Sequence, residues 1–227
     1  MLSVELHAHS GHSHDGRDPV EALLSRAAAV GLDALAVTDH DVIEGSLRAR
    51  DLAPDYDLVG IPGMEVSSAD GHILALGVEE VVPAGLPYHE TIDRIHDLGG
   101  VVVVPHPFQK SRHGVVGKVD RDALAAADAV ETYNSRLLTG IANHRARRFA
   151  RSRDLPATAG SDAHIAEMVG RAVTEVDADE RSARGILDAV RAGRTSVVGT
   201  RTPWRVSAKQ ATGNARRRIA RRITDLF

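Results

Sequence analysis

Residues 88–108 read YHETIDRIHDLGGVVVVPHPF. Tyr88–Leu98 fits a helix, and Gly99-Gly100 stops it. Val101–Val104 is a run of four valines, the pattern of a strand buried on both faces. The chain then turns at Pro105-His106-Pro107, which places a histidine directly after the strand. Helix, glycine stop, buried strand and polar turn make one unit, and the unit recurs in both directions along the chain.

Towards the N-terminus, Leu2–Leu6 reads as a first strand. Pro19 opens a helix with Asp18 as its N-cap and Gly31 as its stop. Strands are expected at Ala34–Val37, Leu58–Met64 and Ile73–Leu76, with a helix near Ile43–Leu52. Towards the C-terminus, helices are expected over Arg121–Ala127, Leu138–Ser152 and Ser182–Ala192. Strands are expected at Ala129–Thr132, Ala157–Ala159, Arg171–Val176 and Ser196–Val198. About seven such units in roughly 200 residues indicate an α/β fold with a mostly parallel sheet, either a barrel or an open doubly wound sheet.

Composition narrows the function. At 227 residues the chain suits one sizeable domain. Having no cysteine, it has no disulfide, thiolate metal site or cysteine nucleophile. Aromatic residues make up 3%, so the core must be aliphatic. With 31 acidic and 28 basic residues, nucleic-acid binding driven by net charge alone is not expected. No apolar run reaches the ~20 residues of a membrane span. The opening MLSVELHAHS lacks the regions of a signal peptide, so a cytoplasmic protein is expected. Residues 205–227 read as a separate amphipathic helix, with Ile219, Ile223 and Leu226 on one face. Arg216, Arg217, Arg218, Arg221 and Arg222 form its basic face. That helix either packs on the domain or meets RNA or an acidic surface. The domain itself is assigned residues 1–204.

Twelve histidines are the informative feature, because of where they fall. His7 and His9 follow the first strand, His40 the second, His106 the valine run, and Asp162 and His164 the strand at 157–159. Glu65 follows the third strand, and His72 opens a short one. In parallel α/β folds functional groups gather at the carboxyl ends of strands. An H-x-H pair on extended chain points both imidazoles to one side, ready to share an ion. Imidazole plus carboxylate suits Mn, Fe or Zn, and a carboxylate such as Glu65 can bridge two ions. His89, His96 and His144 read as surface or packing residues. His12 and His14 are spare ligands, supporting groups or exposed.

The elements ELHAHSGHSHDG, AVTDHD, GMEVS, GHILALG, VVPHPF, AVETYNSR and AGSDAH, in this order over residues 4–176, resemble the PHP (polymerase and histidinol phosphatase) family. That resemblance implies a distorted (β/α)7 barrel with two or three divalent metal ions at its C-terminal rim. It implies one ion on His7, His9, Glu65 and Asp162. A second would lie on Glu65, His72 and His106, and a third on Asp15, His40 and His164, with His14 as the alternative to Asp15. It also implies a hydrolase: a phosphoesterase in which a metal-activated hydroxide attacks a phosphomonoester or nucleotide, with His7, His9, Glu65, His106, Asp162 and His164 as its catalytic residues. Lys110, Arg112, His113 and Arg136, with Asn134, are candidate contacts for a small phosphorylated substrate or short oligonucleotide. Glu131 and Asn134 stand behind the ligands, and Arg171 and Trp204 on the rim. The competing readings are a 5'-3' exonuclease on short RNA or DNA, a metal-dependent amidohydrolase, and a non-catalytic RNA-binding subunit on the same fold.

Overall fold

The computed structural model describes residues 1–109, 113–120, 122–136 and 140–201. The domain boundary expected at 204, the helix expected over 205–227, and Lys110, Arg112 and Trp204 lie outside the described residues. One sheet contains β1 (Leu2–Ala8), β2 (Ala34–Val37), β3 (Val59–Ile61), β9 (Ala172–Val176) and β10 (Thr195–Gly199), in the order β10-β9-β1-β2-β3. The other contains β4 (Gly63–Ser68), β5 (Gly71–Leu76), β6 (Val101–Val104), β7 (Ala129–Asn134) and β8 (Ala157–Gly160), in chain order. The helices are α1 (Val20–Ala29), α2 (Glu44–Leu52), α3 (Tyr88–Asp97), α4 (Ile141–Ser152) and α5 (Ala183–Arg191).

The α/β class holds, but the sheets are mixed rather than mostly parallel. Strands β1–β2, β2–β3, β6–β7 and β7–β8 pair parallel. Strands β4–β5, β5–β6, β1–β9 and β9–β10 pair antiparallel. The strand expected over Leu58–Met64 is broken at Pro62, which has no N–H to give to a ladder, so β3 and β4 join different sheets. A tight turn then folds β5 back on β4, with Ser68 Oγ accepting from the Asp70 and Gly71 amides. Glu65 therefore lies inside a strand, not after one. The helix expected over Arg121–Ala127 is a 3-10 turn at Ala123–Ala126. The Asp122 amide is taken by the Asp120 side chain, a local bond that competes with helix. Asp18 does not cap α1. Pro19 occupies that position, and Asp18 Oδ2 instead accepts from Ala166 N at 2.7 Å.

The two sheets meet at isolated parallel bridges, Ala8 with Ala163 and His40 with Glu65. Among the described residues, strand pairing does not run continuously around a closed barrel. The four valines of β6 are buried on both faces, as their run predicts. Val102 and Val104 pack with Ile92 and Ile95 of α3, whereas Val101 and Val103 pack with Val4, Leu6 and Ile186. Helix α1 buries Leu23, Leu24 and Ala27 with Leu35 and Val37 of β2. Among the described residues no helix is long and apolar enough to cross a membrane.

Candidate metal centre

Strand β1 supplies His7 from its last turn of pleat and His9 just beyond its end. Both are fully buried. Their Nε2 atoms face each other at 3.2 Å, and Glu65 Oε2 lies 3.2 Å from one and 3.1 Å from the other. His40 Nε2 approaches the same oxygen at 3.6 Å. On the opposite side of the carboxylate, Oε1 lies 2.9 Å from His72 Nδ1 and 3.3 Å from His106 Nε2. Five imidazoles from four strands or strand ends thus surround one buried glutamate.

A second arm comes from the segment after β8. Its backbone is stitched to β1, since Asp162 N donates to His7 O and His9 N to Ala163 O. Asp162 Oδ1 stands 3.8 Å from His9 Nε2 and 3.3 Å from His164 Nδ1. His164 Nε2 meets Asp15 Oδ2 at 2.6 Å, and His40 Nε2 lies 3.7 Å from that oxygen. All nine sequence-predicted ligands fall into five overlapping groups able to hold an ion: His7/His9/Glu65, His7/His106/Asp162, His9/Asp162/His164, His9/Asp15/His40 and His40/Glu65/His72. His14 is in none of them, and its ring lies tilted against His40 at 4.9 Å. His106 and Asp162 hold φ of +31° and +51°. Such left-handed backbone is costly for a residue with a side chain and clusters at functional sites.

The donor set fits divalent ions. Two ligands each ~2.1 Å from one tetrahedral ion lie roughly 3.4 Å apart, close to the separations around Glu65. Glu65 Oε1 and His72 Nδ1 are buried and close, yet have no hydrogen-bond partner, as do the Nδ1 atoms of His9, His40 and His106. Hydrogen bonding alone leaves these atoms unsatisfied. Burial pushes the Glu65 carboxyl up, but His40, His7 and His72 outweigh it and hold it well below the usual carboxylate range. Burial also opposes charge on His7, where Glu65 and Glu131 prevail and raise it. For His40 burial wins, lowering it to about 4. A neutral imidazole is the form that binds metal.

Glu131 of β7 supports the cluster from behind. Its Oε1 contacts His7 Nδ1 at 3.0 Å, and its Oε2 accepts from His106 N and Asn134 Nδ2. Asn134 is turned inward, donating also to Asp162 Oδ2. Arg136 Nη1 donates to Asp162 Oδ1 at 3.0 Å and touches the His164 ring. His113 stacks on His72 at 5.0 Å. Arg171 precedes β9, at the end nearest the C-terminus of β1. His89 is exposed, and His96 pairs with Asp128, away from the cluster. Two acids escaped the sequence reading. Glu5 accepts from the amides of His7, Ser161 and Gly170, tying β1 to the Asp162 segment, and burial lifts its carboxyl to about 7. Asp39 accepts from Ser10 N and Oγ at 2.6 Å and sets the loop after β1. The signal for Glu5 is an acid held between Val4 and Leu6 within a strand.

A family model described as PHP-associated matches residues 140–195. An uncharacterized protein of Methanocaldococcus jannaschii is 30% identical over 154 residues, which are 63% of this chain and 88% of that protein. A phosphoribosyl 1,2-cyclic phosphate 1,2-diphosphodiesterase of Eggerthella lenta is 43% identical over 86 residues, 35% of this chain and 32% of the enzyme. Among solved structures, a two-domain protein of Bacteroides vulgatus containing a predicted PHP-like metal-dependent phosphoesterase superposes with a TM-score of 0.74 at 23% identity. The match covers 87% of this chain and 64% of that one, so the chain spans less than two thirds of that protein. Identity along most of one relative, and a shared fold with a PHP-like protein, agree with the motifs in the sequence: the chain belongs to the PHP family.

Proposed function

We propose that the chain is a metal-dependent phosphoesterase that hydrolyses a phosphomonoester or nucleotide. The observation that carries this reading is Glu65, whose two oxygens face five imidazoles. His7, His9, Asp15, His40, Glu65, His72, His106, Asp162 and His164 would hold two or three ions of Mn, Fe or Zn. When bound, such ions supply Lewis acidity at the phosphoryl group and lower the pKa of the attacking water. The protein orients them: Glu131 fixes the His7 ring through Nδ1, and Asn134 fixes Glu131 and Asp162. Arg136, at the rim, is the phosphate contact, with His113 and with Lys110 and Arg112 of the same segment. The bridges at Ala8–Ala163 and His40–Glu65 support reading the two sheets as halves of a distorted barrel. Elemental analysis of protein purified without added metal tests the site. Two to three equivalents per chain are expected by this reading, lost in the His7→Ala/His9→Ala variant, together with hydrolysis of p-nitrophenyl phosphate or a nucleotide. Ion-free protein that takes up neither Mn nor Zn sinks it.

A further inference from the structure

Helix α4 carries Arg145, Arg147, Arg148 and Arg151 and no acidic residue. Seven of its positions are exposed, and five of these are the four arginines and His144. No side-chain hydrogen bond or ion pair of those five is found among the described residues. Several arginines elsewhere are matched: Arg48 with Glu21, Arg181 with Asp57, Arg194 with Asp179, and Arg153, just past α4, with Asp122. The contrast is sharper because the surrounding chain is acidic. Seven of the 28 basic residues and one of the 31 acidic ones lie at 202–227, leaving 21 basic against 30 acidic in residues 1–201. An uncompensated positive face on an acidic body invites a polyanion.

Beside this face lies a cavity of about 480 Å³ between α4, β7, β8 and β10. Arg147 and Arg151 flank it, and Tyr133, Thr132 and Val197 line it further. None of the nine candidate metal ligands does. The helix is also tied to the metal centre. Asn143 in its first turn accepts from Asn134 N and donates to Asn134 O, each at 3.1 Å, and Asn134 holds Glu131 and Asp162. At ~1.5 Å per residue α4 runs roughly 13 Å on from that anchor.

We propose that the exposed face of α4 and its cavity bind single-stranded nucleic acid, phosphates on the arginines and a base in the cavity beside Tyr133. A duplex keeps its bases stacked inside, whereas a single strand can place one in a pocket next to an aromatic ring. The face offers a lipid surface little to insert, since Ile141 is its one large exposed apolar side chain. The strand's scissile end would sit at the metal centre, and in that respect the proposal rests on the phosphoesterase reading.

Fluorescence anisotropy of the full chain with a labelled 12-nucleotide single strand, from 50 to 200 mM salt, tests the surface. Saturable binding is expected, with log K falling by ~0.7 per phosphate contact for each unit of log salt. Arg147→Glu/Arg151→Glu should weaken it about tenfold or more and flatten the slope. Tyr133→Leu should weaken it with the slope retained. Arg145→Gln/Arg148→Gln gives a second basic variant should the first not fold. No binding at 50 mM salt overturns the proposal. So does unchanged affinity in the folded basic variants, or equal affinity for a duplex or for phosphatidylglycerol vesicles. Gel electrophoresis of the same samples and p-nitrophenyl phosphate with Mn read the chemistry separately. Binding without either hydrolysis supports the surface and sinks the phosphoesterase reading, whereas hydrolysis without binding does the reverse.

Discussion

Glu65 and Glu131 both touch His7, but on different nitrogens. Glu131 sits on Nδ1 and Glu65 on Nε2, so the first sets the ring and the second shares what the ring binds. Glu131→Gln should therefore retain the fold and lower metal affinity or activity by roughly 10–100-fold, read by titration against a chelator. An unchanged affinity would reduce Glu131 to packing. Between Asp15 and His14, reach favours Asp15 as the proposed ligand. Asp15 touches His164 and His40, while His14 only lays a tilted ring against His40. Asp15→Asn should lower metal content, and His14→Ala should leave it intact, by elemental analysis of both proteins. The reverse result would exchange their roles. His7, His9, His106 and Asp162 were legible because each stands at the end of an apolar run. Glu5 and Asp39 were not, because their partners lie far along the chain or in loops whose course no periodicity fixes.

Between elements, the approach of β1, β7 and β8 depends on Gly160. A Cβ there would come within 2.5 Å of both His7 Cβ and Glu131 Oε1. Gly160→Ala should push the His7 and Glu131 side chains apart, lowering metal content and the melting temperature together. Normal values for both would show that the strands can shift to make room. Sequence pattern located β2, β6 and the helices α1, α2, α3 and α5 to within a residue or two, since buried runs and glycine stops are local signals. It placed β9 and β10 but missed their antiparallel direction, and it missed the β4–β5 hairpin, because strand direction is set by partners distant in sequence. His72 shows the cost. It reads as the opening of a strand, and only the pairing of Ser67 with His72 and Glu65 with Leu74 brings it beside Glu65.

For the whole molecule, candidate ligands from residue 7 to residue 164 would make ion binding a link across the fold. Anything that binds only the native state stabilises it, by ~2.7 kcal/mol at a hundredfold excess over Kd. At ~2–4 °C per kcal/mol for a domain of this size, chelation should lower the melting temperature by roughly 5–10 °C, restored by adding Mn or Zn. A melting curve indifferent to chelator would remove the ions from the stability of the fold. The placement of β1 has a further consequence, for synthesis. It lies inside its sheet, with β2 along one edge and β9 along the other, Leu2 opposite Val176. At ~5–20 residues per second, the ribosome makes β9 roughly 10–35 s after β1. Throughout that interval the Leu2–Val4 edge of β1 is bare, and His7 and His9 wait almost as long for Asp162 and Ala163, whose backbone bonds theirs. The first candidate ligands made stay unenclosed until the segment after β8 arrives, so the nascent chain would meet the cell's free metal pool before it has a cage with which to choose from it.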